Sequence, residues 1–360
     1  MSGAPRSPRR APRQAARSGT PRSLPLSLIP LPRAIAVAAL LLATSACGSA
    51  GYLTHLGVGQ MRVLLDRERL TPERIEALSD EERAGLALLR RAQAFSESLG
   101  LDRSTSYRHL IDRGDAGALR VVTAAPPDRL EPVTWWFPIV GRVDYRGYFD
   151  AARAERFAAD LARDGFDTYV RTAGLYSTLG FFDDPVPRSM LGWPPFQLVD
   201  TIIHELVHET IFVASDVAYN EGLATFVAHS ATLEFFADQL AEAEAARRSF
   251  ADERTFAALL EQLADDLTAL YAGSASGRDA RERREELFKR HREEVFPSLP
   301  WQTGRYAGFA NAPLSNAYVL AHRAYLGDLA CFASELEALG GDLRAFIRAE
   351  RDDPGRNGDC

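Results

Sequence analysis

The segment from His204 to His208 constrains the fold more than any other part of the sequence, because it places three reactive side chains in an otherwise apolar helix. It reads His204-Glu205-Leu206-Val207-His208, within a predicted helix from Phe196 to about Val213. The spacing of four residues puts both imidazoles on one helix face, so that both can bind one cation. Glu205 lies roughly 100° around the helix, which suits a base acting on metal-bound water rather than a ligand.

A catalytic zinc site needs a third protein ligand while one position stays open for water. Glu221 lies thirteen residues after His208, at the start of the next predicted helix. A short turn would bring its carboxylate opposite the two imidazoles. Two neutral histidines and one carboxylate predict a site for one Zn²⁺ with a net charge of about +1, which lowers the pKa of bound water. Three other residues could approach or orient this site, and the sequence selects none of them: Glu209, Asp216 and His229.

The motif and its surroundings carry a family resemblance. His204-Glu205-x-x-His208 followed by Asn220-Glu221-Gly222-x-Ala224 resembles the gluzincin metallopeptidases, whose third ligand is the glutamate of an Asn-Glu motif. Two further segments, 137–149 and 176–185, resemble the Putative aminopeptidase family of bacterial lipoproteins, and the resemblance extends from about Gly51 to about Arg348. It implies peptide bond hydrolysis in which Glu205 accepts a proton from water and delivers it to the leaving amine.

Three functions remain open at this point. The first is a zinc aminopeptidase, and the second is a zinc endopeptidase that acts on proteins or the cell envelope. The third is a non-enzymatic lipoprotein with a structural metal site, and Glu205 argues against it because a structural site has no use for a base. The sequence does not separate the first two functions, since the answer depends on whether the substrate pocket is closed at one end.

The resemblance also implies a side chain that stabilises the oxyanion. The segment Ser315-Asn316-Ala317-x-Val319, continued to Tyr325, is similar to an Asn-Asn-Ala-x-Leu…Tyr segment of the family, although Ser315 departs from it. We therefore expect Tyr325 to donate to the oxyanion, with Tyr306 and Tyr318 as the other candidates.

The substrate amine requires a carboxylate as well. We expect the peptide to add to the predicted edge strand Tyr176–Phe182, as zincins commonly bind their substrates. Asp183 and Asp184 follow this strand directly. One of them would offset the cost of burying a free ammonium group. The alternative is that these acids only shape the turn before Pro185.

Periodicity predicts an α+β fold with a single domain over 47–360. Helices cover 52–100, a sheet-bearing part covers 115–185, and active-site and C-terminal helices cover 196–350. We expect a small mixed sheet with an edge strand before the active-site helix, and then a mostly helical, zincin-like body. The predicted segments of the sheet-bearing part are strands at Leu119–Thr123, Val133–Val140, Phe166–Arg171 and Tyr176–Phe182, and a helix over Phe149–Arg163.

The first 46 residues are predicted to be an export signal. They contain seven arginines and no acidic residue, and they end in the apolar run Ala34–Ala46. This run is too short to cross a hydrocarbon core of about 30 Å and is typical of a secretory h-region. Thr44-Ser45-Ala46-Cys47 resembles a bacterial lipobox, although Leu is usual where Thr44 stands. We expect acylation of Cys47 and anchoring at the periplasmic side of the envelope; a plain signal peptide with an incidental cysteine is the alternative.

The remaining residues are strongly acidic. They carry 35 basic and 49 acidic side chains, a net charge of -14. This excludes an electrostatic surface for nucleic acid and suits an amine-bearing peptide substrate. In an oxidising compartment Cys331 and Cys360 could form a disulfide or remain free thiols.

Overall fold

A computed structural model describes residues 51–355 except for 53, 113–118, 138–139, 174–182, 274–276 and 324–328. The strands of the described residues form three small sheets, ordered β1-β2-β8, β6-β3-β7 and β4-β5, with only the β2–β8 pair parallel. These strands are β1 (Glu68–Arg69), β2 (His109–Ile111), β3 (Arg120–Ala125), β4 (Trp135–Phe137), β5 (Gly141–Val143), β6 (Tyr145–Tyr148), β7 (Asp167–Thr172) and β8 (Val186–Pro187).

Helices make up most of the remaining described chain, so the predicted α+β class is confirmed. They are α1 (51–52 and 54–66), α2 (Pro72–Glu76), α3 (Asp80–Leu99), α4 (Ala151–Arg163), α5 (Pro195–Thr210), α6 (Val217–Phe235), α7 (Leu240–Gly273), α8 (Gly277–Arg290), α9 (Phe296–Ser298), α10 (Asn316–Arg323), α11 (Ala330–Ala338) and α12 (Leu343–Asp352). Short 3-10 turns lie at Arg188–Gly192 and Ala307–Asn311, and a π turn lies at His291–Val295.

The β6-β3-β7 sheet is built around a strand that is buried along almost its whole length. β3 pairs antiparallel with both neighbours, so that Val122 lies opposite Arg146 on one side and Val170 on the other. The predicted strands at β3, β4 and β7 are confirmed, while β5 and β6 were not predicted. Helix α4 was predicted to begin at Phe149. It begins two residues later because Asp150 caps it, accepting a hydrogen bond from the Arg153 N–H. The predicted edge strand at 176–182 lies outside the described residues.

Helix α5 lies in the main hydrophobic core, packed against α3 and α6. Five of its residues are fully buried: Leu198, Val199, Ile202, Ile203 and Val207. Helix α3 begins with a capping box between Ser79 and Glu82. At Gly85 a Cβ atom would lie 2.0 Å from the carbonyl oxygen of Leu191, so the close approach of α3 to the turn before α5 requires glycine.

The described helices, the extent of the compact unit and the cysteines bear on the predicted export and domain organisation. None of the helices in the described ranges is long and apolar enough to cross a membrane. Residues Leu53–Cys360 form one compact unit. Cys331 is disulfide-bonded; Cys360, the partner considered from the sequence, lies outside the described residues, and so does Cys47.

Candidate metal centre

The turn between α5 and α6 sets the position of Glu221. Asn220 clamps this turn: its Nδ2 donates to the Val213 carbonyl at 2.7 Å, and its Oδ1 accepts from the Val213 N–H at 2.8 Å. Asp216 caps α6 by accepting a hydrogen bond from the Tyr219 N–H at 3.1 Å. The asparagine of the Asn-Glu pair therefore fixes the turn, and the glutamate projects from the first turn and a half of the helix that follows.

His204, His208 and Glu221 converge as their spacing predicts. The two imidazole Nε2 atoms lie 3.1 Å apart, and Glu221 Oε2 lies 3.3 Å from His204 Nε2 and 3.7 Å from His208 Nε2. Ligand atoms at about 2.0–2.2 Å from a tetrahedral Zn²⁺ would lie about 3.3–3.6 Å apart, and the three distances lie within about 0.2 Å of that range. Glu221 Oε2 is buried and has no hydrogen-bond partner, as expected of an atom that a cation would satisfy. The donor set and its spacing therefore suit one metal ion.

The charges of the three side chains follow from this convergence. Burial lowers the pKa of His204, but the Glu221 carboxylate outweighs it and raises the pKa to about 9. Burial raises the pKa of Glu221, and the imidazoles of His204 and His208 more than reverse this, so that it lies well below its ordinary value. An anionic carboxylate thus faces the protonated imidazole of His204, and a divalent cation would take the place of that proton.

Glu205 lies beside the cluster and is 8% exposed. Burial raises the pKa of this carboxyl group, which moves it toward the range of a general base. One turn further along the same helix, Glu209 Oε1 accepts a hydrogen bond from the Ser106 hydroxyl at 2.8 Å. Glu209 is therefore held by the segment before β2.

Asp183 and Asp184 lie near this same segment. Asp184 is 1% exposed, and its carbonyl oxygen accepts a hydrogen bond from the Tyr107 N–H at 2.7 Å. The carbonyl oxygen of Asp183 accepts from the Arg67 guanidinium. Their predicted role as an amine anchor stays a prediction, and the structure adds that Asp184 is enclosed.

A polar cavity of about 370 Å³ adjoins His204. Its wall includes Asp200 and Glu253, and Glu253 forms an ion pair with Arg305 at 3.0 Å. Burial and the nearby charge of Glu253 raise the pKa of Asp200 to about 7. His229 lies 3.4 Å from Glu253, and burial lowers its pKa to about 3, so it is neutral at pH 7.

The three candidate tyrosines differ in their positions. Tyr306 lies in the wall of this polar cavity and stacks on Phe256. Tyr318 packs against Tyr169, at 4.8 Å between ring centroids. Tyr325, the tyrosine that the family resemblance favours, lies outside the described residues.

The acids of the polar cavity, Asp200 and Glu253, were not predicted from the sequence. For Asp200 a signal was present, because it precedes His204 by four residues and so shares its helix face. For Glu253 and Arg305 no local signal exists, since α7 and the segment after α9 reach the site only through tertiary packing.

A larger groove of about 1080 Å³ lies next to the polar cavity. The two share Thr225, His229 and Glu253 in their walls. Most of the remaining groove wall is apolar and comes from α6, α7, α10 and α11. A polar cavity at the candidate metal centre therefore continues into an apolar groove.

An α+β chain that brings two histidines and two glutamates together beside an open cavity has the side chains that metal-dependent peptidases use. The family model described as Putative aminopeptidase matches residues 51–352, and the chain belongs to this family. Membership in this family indicates a peptidase. No curated protein and no solved structure matches the chain.

Proposed function

We propose that this protein is a zinc-dependent aminopeptidase that removes N-terminal residues from peptides. The observation that carries the proposal is the convergence of His204, His208 and Glu221 on one point, with the buried Glu205 beside it. A closed structural zinc site would use four protein ligands and no base, whereas the described part of the chain offers a cluster of three ligands.

The chain's own residues divide the work of hydrolysis. His204, His208 and Glu221 would hold the ion, which when bound supplies Lewis-acid polarisation of the scissile carbonyl and lowers the pKa of water. Glu205 accepts the proton of the attacking water and delivers it to the leaving nitrogen. Tyr325, or Tyr306 in the cavity wall, donates a hydrogen bond to the oxyanion. Replacing each tyrosine by Phe decides between them, because only the donor's loss lowers kcat by about 100-fold or more.

The acids of the polar cavity support an exopeptidase over an endopeptidase. A free α-ammonium group is costly to bury unless a carboxylate accepts it. Arg305 already neutralises Glu253, whereas no arginine or lysine among the described residues forms an ion pair with Asp200. Asp200 is therefore the acid of this cavity that we propose for the substrate amine, alongside the Asp183 and Asp184 expected from the sequence.

We further propose that the enzyme is exported and anchored through an acyl chain on Cys47, so that it meets its peptides on the periplasmic side of the envelope. The positively charged signal and the lipobox-like Thr44–Cys47 support this location.

The deciding experiment uses the purified chain without residues 1–46, loaded with Zn²⁺, on matched peptides with free and acetylated amino termini. We expect hydrolysis of the free peptide only, lost on chelation and in Glu205→Gln. Cleavage of both peptides would identify an endopeptidase instead. Activity that survives Glu205→Gln would contradict the mechanism, and zinc binding without hydrolysis of either peptide would favour a structural site.

A further inference from the structure

The apolar groove has a defined relation to the proposed amine site. The α-carbon of an N-terminal residue carries both the ammonium group and the side chain. The pocket for the side chain must therefore adjoin the pocket for the amine. Asp200 lies in the wall of the polar cavity. This cavity shares three wall residues with the groove: Thr225, His229 and Glu253.

The size and lining of the groove indicate what it can hold. Small side chains from two helices keep it open, Ala257 and Ala258 from α7 and Ala330 and Ala333 from α11. Phe226 and Leu233 of α6 add larger apolar surface. Pockets of about 300–1,000 Å³ with mostly apolar walls suit ligands larger than a methyl group.

We propose that this groove binds the side chain of the substrate's N-terminal residue and selects large apolar residues such as Leu and Phe over Ala. The inference rests on the proposed aminopeptidase function and names its substrate class. A side chain placed in the groove transfers its apolar surface from water, which favours each added methylene group.

The test uses a substitution that narrows the groove and leaves the residues of the candidate metal centre unchanged. Ala258→Trp fills the groove, and Ala241→Trp at the exposed start of the same helix is the matched control. We expect the ratio of kcat/KM for leucine over alanine 4-nitroanilide to fall at least tenfold in Ala258→Trp, and to keep its wild-type value in Ala241→Trp. An unchanged ratio in a folded Ala258→Trp protein would overturn the proposal.

A binding measurement separates this proposal from the proposed function. Titration of the wild-type protein with leucinamide and alaninamide does not depend on hydrolysis. Tighter binding of leucinamide, lost in Ala258→Trp, supports the groove even if no peptide is cleaved. Equal affinities for the two amides would overturn it even if cleavage occurs.

A separate observation concerns helix α1. Val58, Met61 and Leu65 follow the helical spacing of three and four residues and are 48%, 55% and 74% exposed. The opposite face of α1 packs on the body: a Cβ at Gly59 would lie 2.1 Å from the Phe149 ring. The exposed apolar stripe is thus fixed in orientation. Only three residues of the sequence separate Cys47 from Gly51, the first described residue of α1.

We infer that this stripe rests in the outer part of the lipid bilayer and orients the anchored enzyme. Three apolar side chains bind a bilayer weakly by themselves, but an acyl chain on Cys47 would hold them at high effective concentration beside it. The body's net negative charge leaves apolar contact, rather than attraction to anionic headgroups, as the driving force.

The experiment places an environment-sensitive dye on the full-length, acylated protein in vesicles of phosphatidylethanolamine and phosphatidylglycerol. Met61→Cys reports the stripe, and Leu240→Cys, at a position 77% exposed, is the control. We expect a blue shift and quenching by brominated lipid for the label at 61 only. A solvent-like label at 61, shielding by self-association in detergent, or mass spectrometry showing no acyl chain on Cys47 would each overturn the inference.

Discussion

The polar cavity and the apolar groove adjoin each other but are built differently. Charged and aromatic side chains from α5, α7 and the segment after α9 line the cavity at His204, whereas alanines and larger apolar residues dominate the groove wall. Helix α6 contributes to both regions: Glu221 lies in the candidate metal centre beside the cavity, and Phe226 lies in the groove wall. Under the proposed function, bond cleavage and substrate selection would depend on separate residue sets, which substitutions can test one at a time.

The largest expected effect is that of Glu205→Gln. Because the amide cannot accept the proton of water, we expect kcat to fall about 10²–10⁴-fold. The loss should be equal for leucine and alanine substrates, since Glu205 lies outside the groove. Steady-state kinetics on both substrates provide the measurement, and a loss confined to one of them would contradict the separation of the two residue sets.

Replacing a proposed metal ligand should lower the affinity for zinc and leave the preference for leucine over alanine substrates unchanged. Glu221→Gln withdraws the anionic ligand, so we expect zinc affinity to fall more than about 100-fold, beyond the 10–100-fold loss typical of outer-shell substitutions. Competition with a chromogenic chelator measures this affinity. Ala258→Trp is the control and should bind zinc as the wild type does. Equal zinc affinities in the wild type, Glu221→Gln and Ala258→Trp would exclude Glu221 as a ligand.

The sequence predicted the convergence of His204, His208 and Glu221 better than the residues around them, and the reason is physical. The spacing of His204 and His208 and the nearness of Glu221 along the chain are local features, so helix geometry alone brings them together. Glu253 of α7 and Arg305 of the segment after α9 reach the cavity only through tertiary packing, which no local pattern encodes. The pairing of β2 with β8 likewise joins segments about 75 residues apart.

A smaller loss is expected from Asp200→Asn. The substitution keeps the shape of the side chain and removes the charge that would accept the substrate ammonium, and a hydrogen bond to a charged group contributes about 1.5–3 kcal/mol. We therefore expect kcat/KM for free-amine peptides to fall about 10- to 100-fold. Inhibition by free leucinamide should weaken in parallel, and zinc affinity should stay close to that of the wild type.

Asp183→Asn and Asp184→Asn are the matched comparisons, because the sequence favoured these two acids. The enclosed side chain of Asp184 leads us to expect reduced thermal stability rather than a changed preference for free amino termini. A loss of that preference in either variant, with Asp200→Asn unaffected, would move the amine site to the end of the predicted edge strand.

The smallest effect is expected from Asn220→Ala, which tests whether a change at the start of α6 affects both the candidate metal centre and the groove. Asn220→Ala removes both hydrogen bonds to Val213 that clamp the turn before Glu221. The loss of two such bonds costs about 1–3 kcal/mol of stability, which lowers Tm by several degrees in a chain of this size. Because Glu221 is one residue from the clamp and Phe226 is more than a turn away, zinc affinity should fall several-fold while the leucine-to-alanine ratio holds. A changed ratio with unchanged zinc affinity would mean that the turn positions the groove rather than the metal centre.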